Sequence, residues 1–100
     1  MTPFEAVAEP ARRALLDALV DGPKTVAVLG AAAGLSQPNT SRHLRILREA
    51  GIVSCTPQGQ QRLYELQAEP LAEVDLWLAP YRRLWHSSLD ALERHLDERN

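Results

Sequence analysis

A chain of 100 residues in which 45% of side chains are hydrophobic and 24% are charged has the size and proportions of one globular domain; it excludes disordered, collagen-like and fibrous classes and is too short for most enzyme architectures. Its net charge of −2 is unevenly placed: residues 1–35 carry three basic and four acidic side chains, residues 36–67 four and two, and residues 68–100 four and seven, so only the middle third is basic, as a protein that meets nucleic acid with one face requires. No apolar run approaches the roughly 18 residues of a membrane-spanning helix, no secretory signal is recognisable at Met1–Glu5, and the single Cys55 forms neither an internal disulfide nor a thiolate cage, so a cytoplasmic protein without a membrane partner is expected.

Punctuation by proline and glycine divides the chain into short elements with no linker and no repeat. Pro3–Glu9 is expected to form a short helix contributing Phe4, Val7 and Ala8, and Pro10 stands where a second begins. There Ala11, Ala14, Leu15, Ala18 and Leu19 follow helical spacing until Asp21-Gly22-Pro23. Thr25 is placed to cap a third helix that buries Val26, Leu29 and Ala33, with Gly34 as its left-handed stop. Ser36 is placed to cap a fourth, with Pro38 in its first turn and Thr40, Leu44 and Leu47 at helical steps up to Gly51. Two helices joined by almost nothing, with small residues at the corner, form a helix-turn-helix whose second member enters the major groove.

After Gly51 the pattern becomes a β-hairpin: strands Ile52–Thr56 and Arg62–Gln67 flank a five-residue turn, Pro57–Gln61. A hairpin directly behind a helix-turn-helix is the wing of a winged-helix domain, its polar tip available to the DNA backbone or minor groove. From about residue 70 to 97 an apolar stripe runs at helical steps through Leu71, Val74, Leu78, Tyr81, Trp85, Leu89, Leu92 and Leu96. Pro80 interrupts it, which predicts a kink or two consecutive helices. With Trp77 and Leu84 beside it, the stripe exceeds what one small core covers, and a second copy of the chain is expected on it. Trp77, Tyr81 and Trp85 could instead form a ligand cage, although aromatics at helical spacing are more often packing.

Four phrases of this sequence carry a family resemblance: Glu9-Pro10-Ala11-Arg12-Arg13-Ala14-Leu15-Leu16, the stretch from Gly34 to Val53, Gly59-Gln60-Gln61-Arg62-Leu63-Tyr64-Glu65-Leu66, and the stretch from Val74 to Trp85. In this order, over nearly the whole chain, they resemble the ArsR/SmtB family of bacterial winged-helix repressors, in a branch without metal-site motifs. The resemblance implies one winged-helix DNA-binding domain over residues 1–100, mainly helical with a β-hairpin wing and with N- and C-terminal dimerisation helices. It also implies a homodimer on an operator near a promoter.

Gln37, Asn39, Ser41 and Arg42 are expected at the exposed N-terminal end of the recognition helix. Amide side chains pair bidentately with adenine and arginine with guanine. By resemblance Gln37, Ser41 and Arg42 fall on DNA-contact positions, whereas Asn39 stands where many relatives carry a smaller residue. Arg45, Arg48 and Arg62, with Gln58, Gln60 and Gln61 at the wing tip, suit phosphate contact. Phe4 joins Leu71, Val74, Leu78, Tyr81, Trp85, Leu89 and Leu92 as expected dimer-interface residues.

No cofactor or regulatory metal is expected. Thr25–Gly30 has no Cys-Val-Cys pattern, and His86, Asp90 and His95 lack the paired spacing of the zinc-sensing branch. Nor is catalysis expected, since His86-Ser87-Ser88 are sequence neighbours that face different ways on a helix. Cys55 is a buried structural thiol by default, or a thiol switch near DNA if its pKa is low. The function expected is that of a sequence-specific, homodimeric repressor of a palindromic operator, its effector unidentified. The alternative is a dimeric winged-helix module that binds a protein partner without specific DNA binding.

Overall fold

Capping side chains and prolines set where the helices begin. In the computed structural model, which describes residues 1–98, α1 (Pro3–Val7) opens with a reciprocal capping box: the Glu5 amide donates to Thr2 Oγ1 at 3.2 Å and the Thr2 amide to Glu5 Oε1 at 3.2 Å. The bond that its carboxylate accepts from the Thr2 amide, and then the nearby Thr2 hydroxyl, hold the Glu5 carboxyl below the usual carboxylate range. The helix stops two residues short of the expected Glu9. Glu9 precedes Pro10 and is extended at φ −88°, ψ 122°, because the proline ring disfavours helical backbone in the residue before it.

From Pro10 to Leu19 runs α2, burying Leu15, Leu16 and Leu19. Next comes β1 (Lys24–Thr25), a strand too short for alternation to reveal. The Thr25 hydroxyl caps α3 (Val26–Ala33) by accepting from the Val28 amide at 3.4 Å, and Gly34 ends it at φ 68°. Leu35 N then donates to the Gly30 carbonyl at 2.9 Å, the long bond of a Schellman turn.

Only Leu35 and Ser36 separate that stop from α4 (Gln37–Glu49), where Ser36 Oγ accepts from the Asn39 amide at 3.3 Å. The corner is close because Gly30 has no side chain. A Cβ there would lie 2.8 Å from Thr40 Oγ1 and 3.3 Å from the Leu35 carbonyl oxygen. Thr40, fully buried, turns its hydroxyl back to the Ser36 carbonyl at 2.8 Å, and thus presents its donor to its own helix.

The wing is β2 (Val53–Gln58) against β3 (Gln61–Leu66), and β1 adds to the other side of β3, giving an antiparallel sheet in the order β1-β3-β2. The expected five-residue turn is a two-residue one, Gly59-Gln60, with Pro57 inside β2 opposite Arg62. Two features allow it. Gly59 takes φ 62° at the first central position of the turn and no other residue there has positive φ, the pattern of a type II′ hairpin. In such a hairpin Gln58 and Gln61 form the hydrogen-bonded pair, so Pro57 directs its missing donor to the free edge of an edge strand.

Helix α5 runs as one element from Leu71 to Glu98 with Pro80 inside it, which excludes two consecutive helices. Leu76 and Pro80 are both exposed, so the Leu76 carbonyl, left without its i+4 donor, is open to water. The core lies among Ala6, Leu15, Leu16, Leu19, Leu29, Leu44, Leu47, Ile52, Val53 and Tyr64, with Leu66 and Leu71 packed at its edge. Against this core α5 leans with its first turns only. Every described side chain from Arg83 to Asp97 is exposed, and the molecule extends 62 Å along its long axis. No helix of the described residues is long and apolar enough to cross a membrane.

Candidate nucleic-acid interface

Helical periodicity sorts α4 into two faces. Thr40, His43, Leu44 and Leu47 are buried, while Gln37, Asn39, Ser41, Arg42, Arg45 and Arg48 are exposed. Thirteen residues make a rod about 20 Å long, and the apolar stripe that anchors it leaves the polar side free to enter a groove about 12 Å wide.

The wing folds toward the same side. Ser41, Arg42, Arg45 and Arg48 of α4 and Arg62 of β3 line one cleft of about 510 Å³, floored by Tyr64. Four arginines therefore share one cleft although they come from two separate elements, α4 and β3, and none of the four makes a salt bridge among the described residues, where Arg82–Asp75 at 2.7 Å is the ion pair present. Gathering unpaired like charge costs free energy, which a polyanion would recover. Tyr64 lies mostly buried in register with Cys55 on β2; burial, then the neighbouring thiol, pushes its phenol above the ordinary value, so the group stays neutral and keeps its proton to donate.

A second cleft, of about 320 Å³, brings Gln37 together with Gln60, Gln61 and Arg62 over Thr25 and the N-terminal turn of α3. Arg62 belongs to both clefts and joins them into one surface. Asn39 lines neither, although it is exposed on the same helix. Thr25, Val26 and Ala27, which complete these walls, carry no polar periodicity that would have singled them out, and neither does Tyr64.

Behind the exposed face lies a cluster that sequence reading missed. Arg12 Nε donates to the Ala6 carbonyl at 2.6 Å and its Nη2 to that of Glu5 at 3.1 Å, while Nη1 meets His43 Nδ1 at 3.4 Å. Arg13 Nη1 donates to the carbonyls of Val7 and Ala8 at 2.7 and 3.1 Å. Two consecutive arginines of α2 thus cap the end of α1 by donating to the carbonyls of Glu5, Ala6, Val7 and Ala8, of which that of Glu5 also accepts from the Ala8 amide at 3.3 Å.

The expected interface positions on α1 and α5 divide by burial. Phe4, Leu71, Val74 and Leu78 are half-buried within the chain, and Phe4 meets Trp77 edge-on at 5.8 Å between ring centroids. Trp77 in turn stacks obliquely on Tyr81 at 5.0 Å. Tyr81, Trp85, Leu89 and Leu92 are exposed, as are Leu84 and Leu96. Among the described residues no group of three or more His, Cys, Asp and Glu side chains converges as a metal site would.

Residues 9–54, from the start of α2 into the first wing strand, match the model of the bacterial regulatory proteins of the arsR family. Over 94 residues the chain is 32% identical to an HTH-type transcriptional regulator, Rv2034 of Mycobacterium tuberculosis, covering 94% of this chain and 85% of that one. It is also 33% identical over 75 residues to the transcriptional repressor SdpR of Bacillus subtilis, covering 75% of this chain and 83% of the relative. The chain belongs to the ArsR family.

The fold agrees with this membership. A solution structure of a homodimeric winged helix-turn-helix DNA-binding domain from Mycobacterium bovis, a possible ArsR-family transcriptional regulator, superposes with a TM-score of 0.66 at 25% identity, covering 83% of this chain and 79% of that one. In ArsR-family terms α3 and α4 are the helix-turn-helix, β2 and β3 the wing, and the two clefts lie where both face outward. The relatives are named as transcriptional regulators and repressors, not as enzymes.

Proposed function

We propose that this ArsR-family chain is a homodimeric repressor that binds a palindromic double-stranded operator, each protomer reading one half-site. The observation that carries the reading is the unpaired arginine cleft between α4 and the wing, with Arg42, Arg45, Arg48 and Arg62 on one surface. Gln37, Ser41 and Arg42, near the helix start, read base edges, with Asn39 beside them. Arg45, Arg48, Gln60 and Arg62 hold phosphates and set the register.

The assembly uses the exposed side of α5. The chain acts as one domain, residues 1–100, whose C-terminal helix is the dimerisation element. Trp85 at 53% exposure, Leu89 at 61% and Leu92 at 55% form a contiguous apolar face of the kind that monomers rarely leave in water. Phe4, Leu71, Val74, Leu78 and Tyr81 continue it towards α1. Support comes from the homodimeric domain that this chain resembles. Two-fold symmetry would place two copies of α4 about 34–36 Å apart, one turn of DNA, and make the operator a palindrome. Such a regulator works in the cytoplasm, where the bacterial chromosome lies.

Fluorescence anisotropy tests this, using the purified protein with a duplex from upstream of its own coding region and a shuffled control, across a salt series. Tight binding to the native duplex alone, falling steeply with salt, is expected. Equal, salt-insensitive signals on both duplexes would overturn the reading in favour of a protein-binding module.

A further inference from the structure

His43 is the one buried titratable group on α4, 8% exposed, and nothing in DNA reading requires a histidine on the inner face of that helix. Its partner is Arg12, whose guanidinium always carries its protons and therefore only donates. The 3.4 Å contact accordingly needs a lone pair on His43 Nδ1, which puts the single ring proton on Nε2. The same guanidinium holds the carbonyls of Glu5 and Ala6, and α1 holds Phe4 against Trp77 of α5. An unbroken set of contacts therefore runs from the recognition helix, through one side chain of α2, to the surface where α1 and α5 meet.

We propose that Arg12 is a positioning residue that couples α4 to the α1–α5 surface, and that proton binding at His43 releases this coupling. The inference rests on the reading that α4 meets DNA and that α1 and α5 face a second copy. A protonated ring presents a cation and a donor to a guanidinium that has neither lone pair nor negative charge to offer. Arg12 then loses its hold on α4 while its bonds to α1 remain. The charged groups whose fields reach the imidazole are Arg12 and Glu9 at the start of α2 and Arg42 on α4 itself. Burial first, then the two arginines, push its pKa below the ordinary histidine value, with Glu9 opposing. The lone pair is thus present at neutral pH, and the switch lies on the acid side of the usual histidine range.

Nuclear magnetic resonance on the full chain reads the coupling directly, by following the His43 imidazole and the Trp77 indole N–H from about pH 8 to about pH 5. The Trp77 signal is expected to move with the His43 midpoint in the wild type and to lose that movement in His43→Gln. In Arg12→Lys, which keeps the charge but cannot bridge three acceptors, His43 still titrates and Trp77 no longer follows it. A wild-type Trp77 signal that ignores the His43 midpoint overturns the proposal, whether or not the Arg12 variant folds. So does a Trp77 signal that still follows it in Arg12→Lys or in His43→Gln.

Affinity for the upstream duplex provides a second reading, expected to fall by about fivefold or more across the His43 midpoint in the wild type and to fall less in His43→Gln. Trp77 tracking His43 in a protein that binds no DNA would support the coupling and strike the DNA reading. Specific DNA binding with an indifferent Trp77 would do the reverse.

Discussion

Arg42 and Arg62 sit in the same cleft, yet they should fail in different ways when removed. Arg42 is in the second turn of α4 and, on the proposed reading, meets base edges. Arg42→Ala is expected to relax sequence preference at a cost of about 1–3 kcal/mol on the native operator and little on shuffled DNA. On the same reading Arg62, on the wing, holds phosphate. Arg62→Ala should weaken all duplexes alike and reduce the salt slope by about one. Binding isotherms on both duplexes at several salt concentrations separate the two, and equal losses for Arg42→Ala would remove it from base reading. Gly30 makes a prediction of the opposite kind. Alanine would gain about 1 kcal/mol of helix propensity but bring a methyl group to 2.8 Å from Thr40 Oγ1 and 3.3 Å from a backbone oxygen. Overpacking of that sort costs about 1–3 kcal/mol, so Gly30→Ala should destabilise the chain in urea unfolding. Gly30→Ala/Thr40→Ala should recover part of the loss, because the closest offending atom is then absent.

At the scale of elements, α5 invites the clearest test. Pro80 deprives the Leu76 carbonyl of its donor within a helix that nevertheless continues for another 18 residues. Pro80→Ala restores the bond and should stabilise the helix by up to about 3 kcal/mol, seen as higher helicity and a raised urea midpoint at fixed protein concentration. A lower midpoint would show that the packing of α5 uses the shape the proline imposes. Sequence alone predicted α2, α3 and α4 almost to the residue, because Pro10, Thr25, Gly34, Ser36 and Gly51 act on backbone within a few positions of themselves. Prediction failed where the cause was distant. The short β1 exists only through pairing with Tyr64 and Leu63 on β3. Pro57 reads as a turn residue until β2 is known to be an edge strand. Arg12 and His43, 31 positions apart, belong to different helical patterns and meet only in the folded chain. The candidate surface was legible as residue types on α4 and the wing, whereas its division into two clefts sharing Arg62, with Asn39 outside both, was not.

For the whole molecule, the proposed reading ties the exposed length of α5 to the outward clefts: what would hold two protomers together would also set the distance between their two copies of α4. Trp85→Ala should therefore reduce the mass seen by sedimentation equilibrium and lower operator affinity together, although Trp85 is far from α4 in sequence and touches no base. Unchanged mass and affinity would remove α5 from the assembly. Acid should act on the same whole. Because the folded-state pKa of His43 is lowered, its contribution to stability is complete above the ordinary histidine pKa and is lost as pH falls through the folded value. His43→Gln should flatten that part of the pH–stability curve, as measured by urea midpoints from neutral to mildly acidic buffer.

The uncovered end of α5 also bears on how such a regulator counts itself. If α5 finds its packing on a second copy, as proposed, the DNA-binding species is a product of two chains, and at low abundance its concentration rises as the square of the protomer concentration. Halving synthesis would then leave a quarter of the repressor. An operator served in this way answers to dosage with a threshold that one independent domain would not provide, and it does so with no ligand at all.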